Sequence, residues 1–454
     1  KVVTYMNNIS IILIAHNKKE LIINQIKLLK IFNNISNDDL IIVDNYSSDG
    51  LSEFLHAQNE INYIICDEHP ENFSSILNIC INEFTQNSNI LILNPNCILL
   101  PNCIKKLTEN LKPQEGIYAV SPFSIYRGYN NISTIEEAVA YSDNTSDSYG
   151  LTHIMKPFNT TVLLSHELIT STKPFDENII SDKMCFSDYF INNILEDKFL
   201  YIVNNAFEYV MKNDEHYYEK TFGIDCDTPY IKNKWNMNYL NMHYNPNLID
   251  YINEPKTKQF NVLEIGCDCG ATLLEIHNIF PNCSVYGIEL NPVSANIASH
   301  IADIKIANIE DSVDLWDNIK FDYILFGDVL EHLHNPSDVI NNCRHILNAG
   351  GKIISSIPNL MHYSVLYQLI NGDFTYKDTG LLDKTHIHFF TYNEILRLFK
   401  NNKYKIINIK AINNVNTEVK DVTDFINELT ELSTHKNKLF FEAYQYVTLA
   451  EKID

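Results

Sequence analysis

Apolar positions along the chain follow two rhythms. Strand-length apolar runs are followed by stretches with helical spacing, and this grammar occurs twice. In the first half, Ile9–Ala15 is an apolar run interrupted only by Ser10, and Leu21, Ile22, Ile26, Leu28 and Leu29 then recur at helical spacing. Leu40–Val43 predicts a second strand, closed by Asp44-Asn45, with Ser47-Ser48-Asp49-Gly50 forming a turn and helix cap. Asn62–Cys66 and Asn89–Leu93 predict two more. Strands alternating with helices imply a mainly parallel sheet with ligands at the strand C-terminal ends. In the second half, seven runs predict a seven-stranded doubly wound sheet: Asn261–Ile265, Ser284–Ile288, Asp303–Ala307, Phe321–Phe326, Gly351–Ile357, Tyr404–Ala411 and Leu439–Leu449. Between the halves, 212–258 has weak periodicity and many Tyr and Asn, with Trp235, Tyr239 and Tyr244, which reads as a packed linker with short helices. The expected organisation is an α/β domain over 1–211, the linker over 212–258 and a second α/β domain over 259–454.

Composition narrows the function. Of 454 residues, 45% are hydrophobic and 20% charged, as in globular proteins. Thirty-four Lys and Arg against 57 Asp and Glu give a formal charge of −23, which disfavours nucleic acid and anionic membrane surfaces as partners. Small anions remain admissible, because backbone N–H groups and helix N-termini bind them without net positive charge. No apolar run approaches the roughly 18–20 residues of a transmembrane helix. Ten cysteines without a CxxC pair read as reduced thiols, and the expected location is cytoplasmic.

The chemistry of the second half starts at Val262-Leu263-Glu264-Ile265-Gly266-Cys267-Asp268-Cys269-Gly270, a strand, a glycine-rich turn and a helix start. Glu289 ends the next strand, where a carboxylate can accept both hydroxyls of a ribose. That pair alone does not separate NAD from S-adenosylmethionine. Further residues are Asn308-Ile309-Glu310, Phe321-Asp322-Tyr323-Ile324, Asp328-Val329-Leu330-Glu331-His332-Leu333, Gly350-Gly351-Lys352 and Pro358-Asn359. With these, 259–454 resembles the class I S-adenosylmethionine-dependent methyltransferases, a Rossmann-like fold. The string Thr379–Thr391 is similar to the subset associated with bacterial cell-surface glycan methylation. The resemblance implies S-adenosylmethionine as cofactor, held by Glu264, Gly266, Cys267, Gly270, Glu289, Leu290, Asn308, Ile309, Glu310, Asp328 and Val329. Asp268 stands where the family usually has a second glycine, and Asn308 where an aspartate commonly faces the adenine amine. Methyl transfer to a hydroxyl needs in-line alignment and a general base. His332, His386 and His388 are the candidates, each with the alternative of a structural histidine bonded to backbone. Asp328, Glu331 and His332 also fall within one turn, a spacing compatible with a hard metal, although Asp328 and Glu331 are read as shaping the pockets.

The first half carries Ser10–Asn17, then Ile42-Val43-Asp44-Asn45-Tyr46-Ser47-Ser48-Asp49-Gly50, then Glu71-Asn72-Phe73-Ser74 with Asn78. Leu91-Ile92-Leu93-Asn94-Pro95-Asn96 follows, then Phe175-Asp176-Glu177 and Ser187-Asp188. In this order the motifs resemble the family 2 inverting glycosyltransferases of the GT-A fold, within the rhamnosyltransferase-like group. The resemblance implies a nucleotide-sugar site at Ala15, His16, Asn17, Asp44, Asn45, Asn72, Asn94 and Asn96, with Asp188 as catalytic base. Mg²⁺ or Mn²⁺ would arrive with the donor, and Asn96 is the metal-ligand candidate, where the family's motif has an aspartate. Ser187 stands where a glutamate is usual. The alternative for Asp44 is a helix cap, and for Asp188 a solvated helix charge.

The expected function is thus bifunctional. The first domain transfers a sugar with inversion from a nucleotide donor to a lipid- or protein-linked glycan. The second O-methylates a sugar hydroxyl, in bacterial surface polysaccharide or glycoprotein glycan synthesis. The alternative is a methyltransferase whose first domain is a degenerate glycan- or nucleotide-binding module. A homo-oligomer is compatible with either.

Overall fold

The computed structural model describes residues 9–58, 60–85, 87–126, 129–145, 150–211, 226–237, 242–312, 314–413 and 420–453. The chain divides into two compact units, Lys1–Met242 and His243–Asp454.

The first unit is built on a nine-stranded sheet: β1 Ile9–Ala15, β2 Leu40–Asn45, β3 Asn62–Cys66, β4 Asn89–Ile92, β5 Cys97–Leu99, β6 Ile117–Tyr126, β7 Leu151–Ile154, β8 Val162–Leu164 and β9 Phe199–Val210. The order is β3-β2-β1-β4-β8-β6-β9-β5, with β7 also on β9. The four apolar runs of the sequence form the parallel part, β3-β2-β1-β4. Beyond it β8 joins β4 antiparallel, so the whole sheet is mixed. Ile11, Leu13, Leu40, Ile42 and Leu91 are sealed from solvent and pack with Ile22 and Leu29 of the helix Lys19–Asn33.

The second unit holds seven strands: β10 Phe260–Ile265, β11 Cys283–Glu289, β12 Asp303–Ile306, β13 Phe321–Gly327, β14 Leu347–Pro358, β15 Tyr404–Asn413 and β16 Ala443–Lys452. Their order is β12-β11-β10-β13-β14-β16-β15. The first five are parallel, and β16 runs antiparallel to both neighbours. Leu439–Glu442, which reads as strand in the sequence, is a helical turn before β16. Both units are α/β, as the sequence predicts.

The stretch 212–258 is divided between the units. The helix Thr228–Trp235 belongs to the first, and Pro246–Ile249 to the second, where Leu248 and Ile249 pack with Phe260, Val262 and Tyr323. Tyr217, Tyr218 and Tyr239 lie outside the described residues. All ten cysteines are free thiols, eight of them buried. Among the described residues no helix is long and apolar enough to cross a membrane.

Candidate active sites

In the first unit the carboxyl ends of β1, β2 and β4 converge on one polar lattice. Asn17 leaves β1 with a left-handed φ of 50°, a conformation asparagine tolerates. Its backbone N–H donates to Ser47 Oγ at 2.9 Å and its Oδ1 accepts from Ser48 N at 2.7 Å, which ties the β1 turn to the β2 turn. His16 Nδ1 lies 3.0 Å from the Asn45 carbonyl. Asn45 in turn accepts from Glu71 N and donates to Glu71 O, both at 2.9 Å. Asp44 is sealed from solvent, and its carboxylate accepts from Ser47 N at 3.0 Å and Ser52 Oγ at 2.5 Å. Those bonds make Asp44 an anchor of the turn; it does not cap the following helix Leu51–His56, whose N-cap position is Gly50. Asn72 caps the helix Phe73–Phe84 through Ser75 N at 2.7 Å and donates to the Glu177 carbonyl. Asn94 accepts from Asn96 N at 2.9 Å and donates to Asn159 O at 3.0 Å. Asn96 Oδ1 accepts from the Lys18 ammonium at 3.0 Å. Ala15 is buried at the end of β1.

Asp188 lies on the helix Asp182–Ile194 and is only 2% exposed. Trp235 Nε1 donates to its Oδ1 at 2.7 Å, and Lys234 Nζ lies 2.8 Å from the same oxygen. Lys234 also donates to Asp176 at 2.6 Å. Burial alone would raise the Asp176 carboxyl, but bonds from Lys234, Tyr230 and Asn178 outweigh it and hold the group at about 2. Sequence reasoning missed Lys234 and Trp235 as partners of Asp188. The available signal was a tryptophan in an otherwise Tyr- and Asn-rich stretch.

In the second unit the turn after β10 needs its glycines. Gly266 has φ +70°, and a Cβ there would stand 2.7 Å from Val329 Cγ2. Gly270 has φ +85° and lies against Ala298. Cys267 turns its thiol inward over Gly287, so only its backbone can line the loop. Asp268 takes the left-handed region at φ 47°, and its N–H donates to Glu289 Oε2 at 2.9 Å. Glu289 Oε1 accepts from Asn291 N at 2.7 Å. Glu264 is buried, and burial with the nearby Asp268 and Glu289 charges outweighs the Thr272 bond, pushing it to about 8. Leu290, just beyond Glu289, is 68% exposed. On β12's far side Asn308 is exposed and its side chain accepts from Glu310 N. Ile309 is buried in the core, and Glu310 is taken up by Asn335 N at 2.8 Å and His334 at 3.1 Å.

The turn after β13 brings the remaining candidates together. Asp328 stands at φ 54°, and burial raises its carboxyl against Ser356 and His332. Glu331 is 1% exposed, and its side-chain oxygens have no hydrogen-bond partner. Burial and the Asp328 charge push it well above the ordinary carboxylate value. Its backbone carbonyl accepts from Ile387 N and His388 N, which docks the 379–391 string onto this turn. The His332 and His386 rings meet edge to face, 4.9 Å apart. His332 Nδ1 and His386 Nδ1 rest on the carbonyls of Thr385 and Leu381. Burial, and then His332, lower His386 below 6.5, against Leu381 and Asp383. His388 Nε2 contacts the His334 carbonyl at 3.0 Å, so all three histidines have a ring nitrogen on a backbone carbonyl, as their structural alternative expects. Ligand atoms of Glu331, His332 and His386 all lie within 4.8 Å of one another, close enough to share one cation or one acceptor hydroxyl. His386 was not in the Asp328, Glu331, His332 set that chain spacing suggests, because a bridge across some 50 residues is invisible to local spacing.

Comparison with known proteins agrees with these two units. Residues 10–177 match the family model described as Glycosyl transferase family 2, and residues 237–409 match that described as Methyltransferase domain. The chain therefore joins a family 2 glycosyl transferase domain to a class I methyltransferase domain, whose class uses S-adenosylmethionine. Curated relatives include a Ubiquinone biosynthesis O-methyltransferase of Coxiella burnetii, 26% identical over 177 residues, covering 37% of this chain and 74% of that protein. Another with the same name, from Dechloromonas aromatica, is 28% identical over 29% of this chain and 58% of its own length. Among solved structures, an S-adenosylmethionine-dependent methyltransferase of Archaeoglobus fulgidus is 19% identical with TM-score 0.34, over 52% of this chain and 100% of that one.

The residues present fit the cofactor: a loop kept bare by two positive-φ glycines faces a carboxylate at the end of the next strand. An alanine at Gly266 meets both a positive φ, worth about 1 kcal/mol or more, and the Val329 methyl. Gly266→Ala is expected to weaken S-adenosylhomocysteine binding by about tenfold or more, read by calorimetry. An unchanged affinity would show that the loop is not the cofactor cradle.

Proposed function

We propose that the protein is a bifunctional glycan-modifying enzyme. Its second domain O-methylates a sugar hydroxyl, and its first transfers a sugar from a nucleotide donor with inversion. The observation that carries the methylation reading is the His332–His386 pair over buried Glu331, on the same turn that packs Val329 against the glycine loop. When bound, S-adenosylmethionine supplies an electrophilic methyl group. Gly266, Gly270 and Glu289 would hold it, with exposed Leu290 as an apolar surface for its adenine. Neutral His386 takes the proton of the acceptor hydroxyl at Nε2, its Nδ1 being turned to the Leu381 carbonyl. His332 supports it from the side, and the 379–391 string forms the acceptor wall. The O-methyltransferase name carried by the relatives supports an oxygen acceptor. Fusing the two sites raises the effective concentration of one near the product of the other.

Product analysis tests this. The full chain is incubated with labelled S-adenosylmethionine, nucleotide sugars and glycan acceptors, and the products are read by mass spectrometry. Methyl groups on sugar oxygens are expected. Equal methylation of unrelated phenols would overturn the glycan assignment.

A second reading is favoured by one observation. Both the Trp235 N–H and the Lys234 ammonium occupy Asp188, leaving a buried carboxylate no room for an acceptor hydroxyl in this arrangement. On that reading the first domain binds a nucleotide sugar or glycan and positions it without transfer.

A further inference from the structure

We propose that the first domain grips the diphosphate of its donor with a fixed ammonium, Lys18 backed by Asn96, in place of a divalent cation. The inference rests on the proposed reading that this domain binds a nucleotide sugar, which the second reading shares only where its ligand is a nucleotide sugar and not a glycan.

Position comes first. Lys18 lies three residues past the end of β1, and Asn96 four past the end of β4. These strands are adjacent and parallel, Ile9 pairing Asn89 and Ile12 pairing Ile92. In open α/β sheets the crevice beyond such carboxyl ends is where ligands bind. Lys18 stands at the N-terminal end of the helix Lys19–Asn33 without capping it, and the Asp49 carboxylate accepts from Lys19 N there at 2.7 Å, so the ammonium of Lys18 is the cationic group this turn offers.

Chemistry comes second. A divalent cation at Asn96 needs its amide oxygen at about 2.1 Å. That oxygen instead accepts from the Lys18 ammonium at 3.0 Å. Asn96 cannot easily turn away, being 8% exposed, with its N–H on Asn94 Oδ1 and its carbonyl on Met211 N. Neither Asn94 nor Asn96 carries a charge to offset two adjacent cations. A lysine is a compact point charge that can neutralise a departing diphosphate as the metal would, and Asn96 orients it.

A second ammonium follows the same pattern. Lys156 is 9% exposed and donates to Ser187 Oγ at 3.3 Å. Burial, then Lys183, lowers it to about 8. It sits in the segment that also supplies Asn159 and Thr161 to Asn94. This unit thus places lysines against neutral side chains at both points, Asn96 and Ser187.

The test is calorimetric titration of the full chain with UDP, GDP, dTDP and ADP, in EDTA and in Mn²⁺. The bound nucleotide is expected to show the same affinity in both buffers within about threefold. Lys18→Met is expected to weaken it about tenfold or more in either buffer, and Lys18→Arg to restore most of it. S-adenosylhomocysteine binding should stay unchanged in both variants, because Gly266, Gly270 and Glu289 lie in the second unit, while the first unit's thermal midpoint is expected to fall in Lys18→Met, which leaves buried Asn96 Oδ1 without its donor, and to recover in Lys18→Arg. Tight binding only with Mn²⁺, or Lys18→Met binding like the parent, overturns the proposal while leaving the nucleotide-sugar reading standing. Absence of binding to every nucleotide in both buffers overturns the two together.

Discussion

Replacing His386 with alanine is expected to lower the turnover of methyl transfer by about 10²–10⁴-fold while leaving S-adenosylhomocysteine affinity unchanged. The imidazole stands against His332, not on the glycine loop, and its Nδ1 is committed to the Leu381 carbonyl. That leaves Nε2 as the nitrogen open to an acceptor. Burial and His332 keep the ring neutral at pH 7, the form a base requires. Removing it takes away the proton acceptor but no contact to the cofactor, so KM for S-adenosylmethionine should hold while kcat falls. His332→Ala should lose less, since His332 supports the ring from its edge. His388→Ala should cost little in chemistry, because its nitrogen rests on the His334 carbonyl.

The same triad could hold a cation, so the measurement includes a chelator. With His386 as base, the parent enzyme keeps its turnover in EDTA. Loss of turnover in EDTA, restored by Mg²⁺ or Mn²⁺, would reassign Glu331, His332 and His386 as ligands. Equal turnover of His386→Ala and parent would remove this residue from the reaction altogether.

The central parallel strands of both units were legible because they are buried on both faces, unlike the flanking strands β3 and β12. Ile11-Ile12-Leu13 and Ile353-Ile354 read as near-continuous apolar runs, and they are sealed in the structure. The outer strands of the first unit were not legible. β5 and β8 have three residues each, and β9 carries Asn204, Asn205 and Glu208 within its run. Glu208 shows why such a break misleads: it is 1% exposed but bonded to Ser124 and Asn159. The sites divide in the same way. Motifs contiguous in sequence, such as Glu264–Gly270, form one loop. The partners of Asp188 and of Glu331 come from about 50 residues away, where only the fold can place them.

Lys234→Met is expected to destabilise the first unit by about 2–3 kcal/mol. That is below the roughly 3–5 found when a fully buried pair is broken, because Lys234 reaches solvent. The lysine bridges two carboxylates, Asp176 at 2.6 Å and Asp188 at 2.8 Å. Asp188 is the buried one, and without Lys234 its charge keeps only the Trp235 N–H and a longer contact to Asn192. Trp235→Phe keeps the ring's packing and removes that N–H, for about 1–2 kcal/mol. The pH dependence follows from Asp176, held at about 2 against its ordinary 3.8. A lowered folded-state value means stability that is present above about 4 and is lost as pH falls toward 2. Urea unfolding of the full chain between those limits should show this acid loss in the parent and a smaller one in Lys234→Met. The S-adenosylhomocysteine-dependent transition of the second unit should not move in either variant, which separates the two unfolding events. Were Lys234→Met as stable as the parent at neutral pH, Asp188 would have to be reaching water, and the objection to its acting as a base for sugar transfer would disappear.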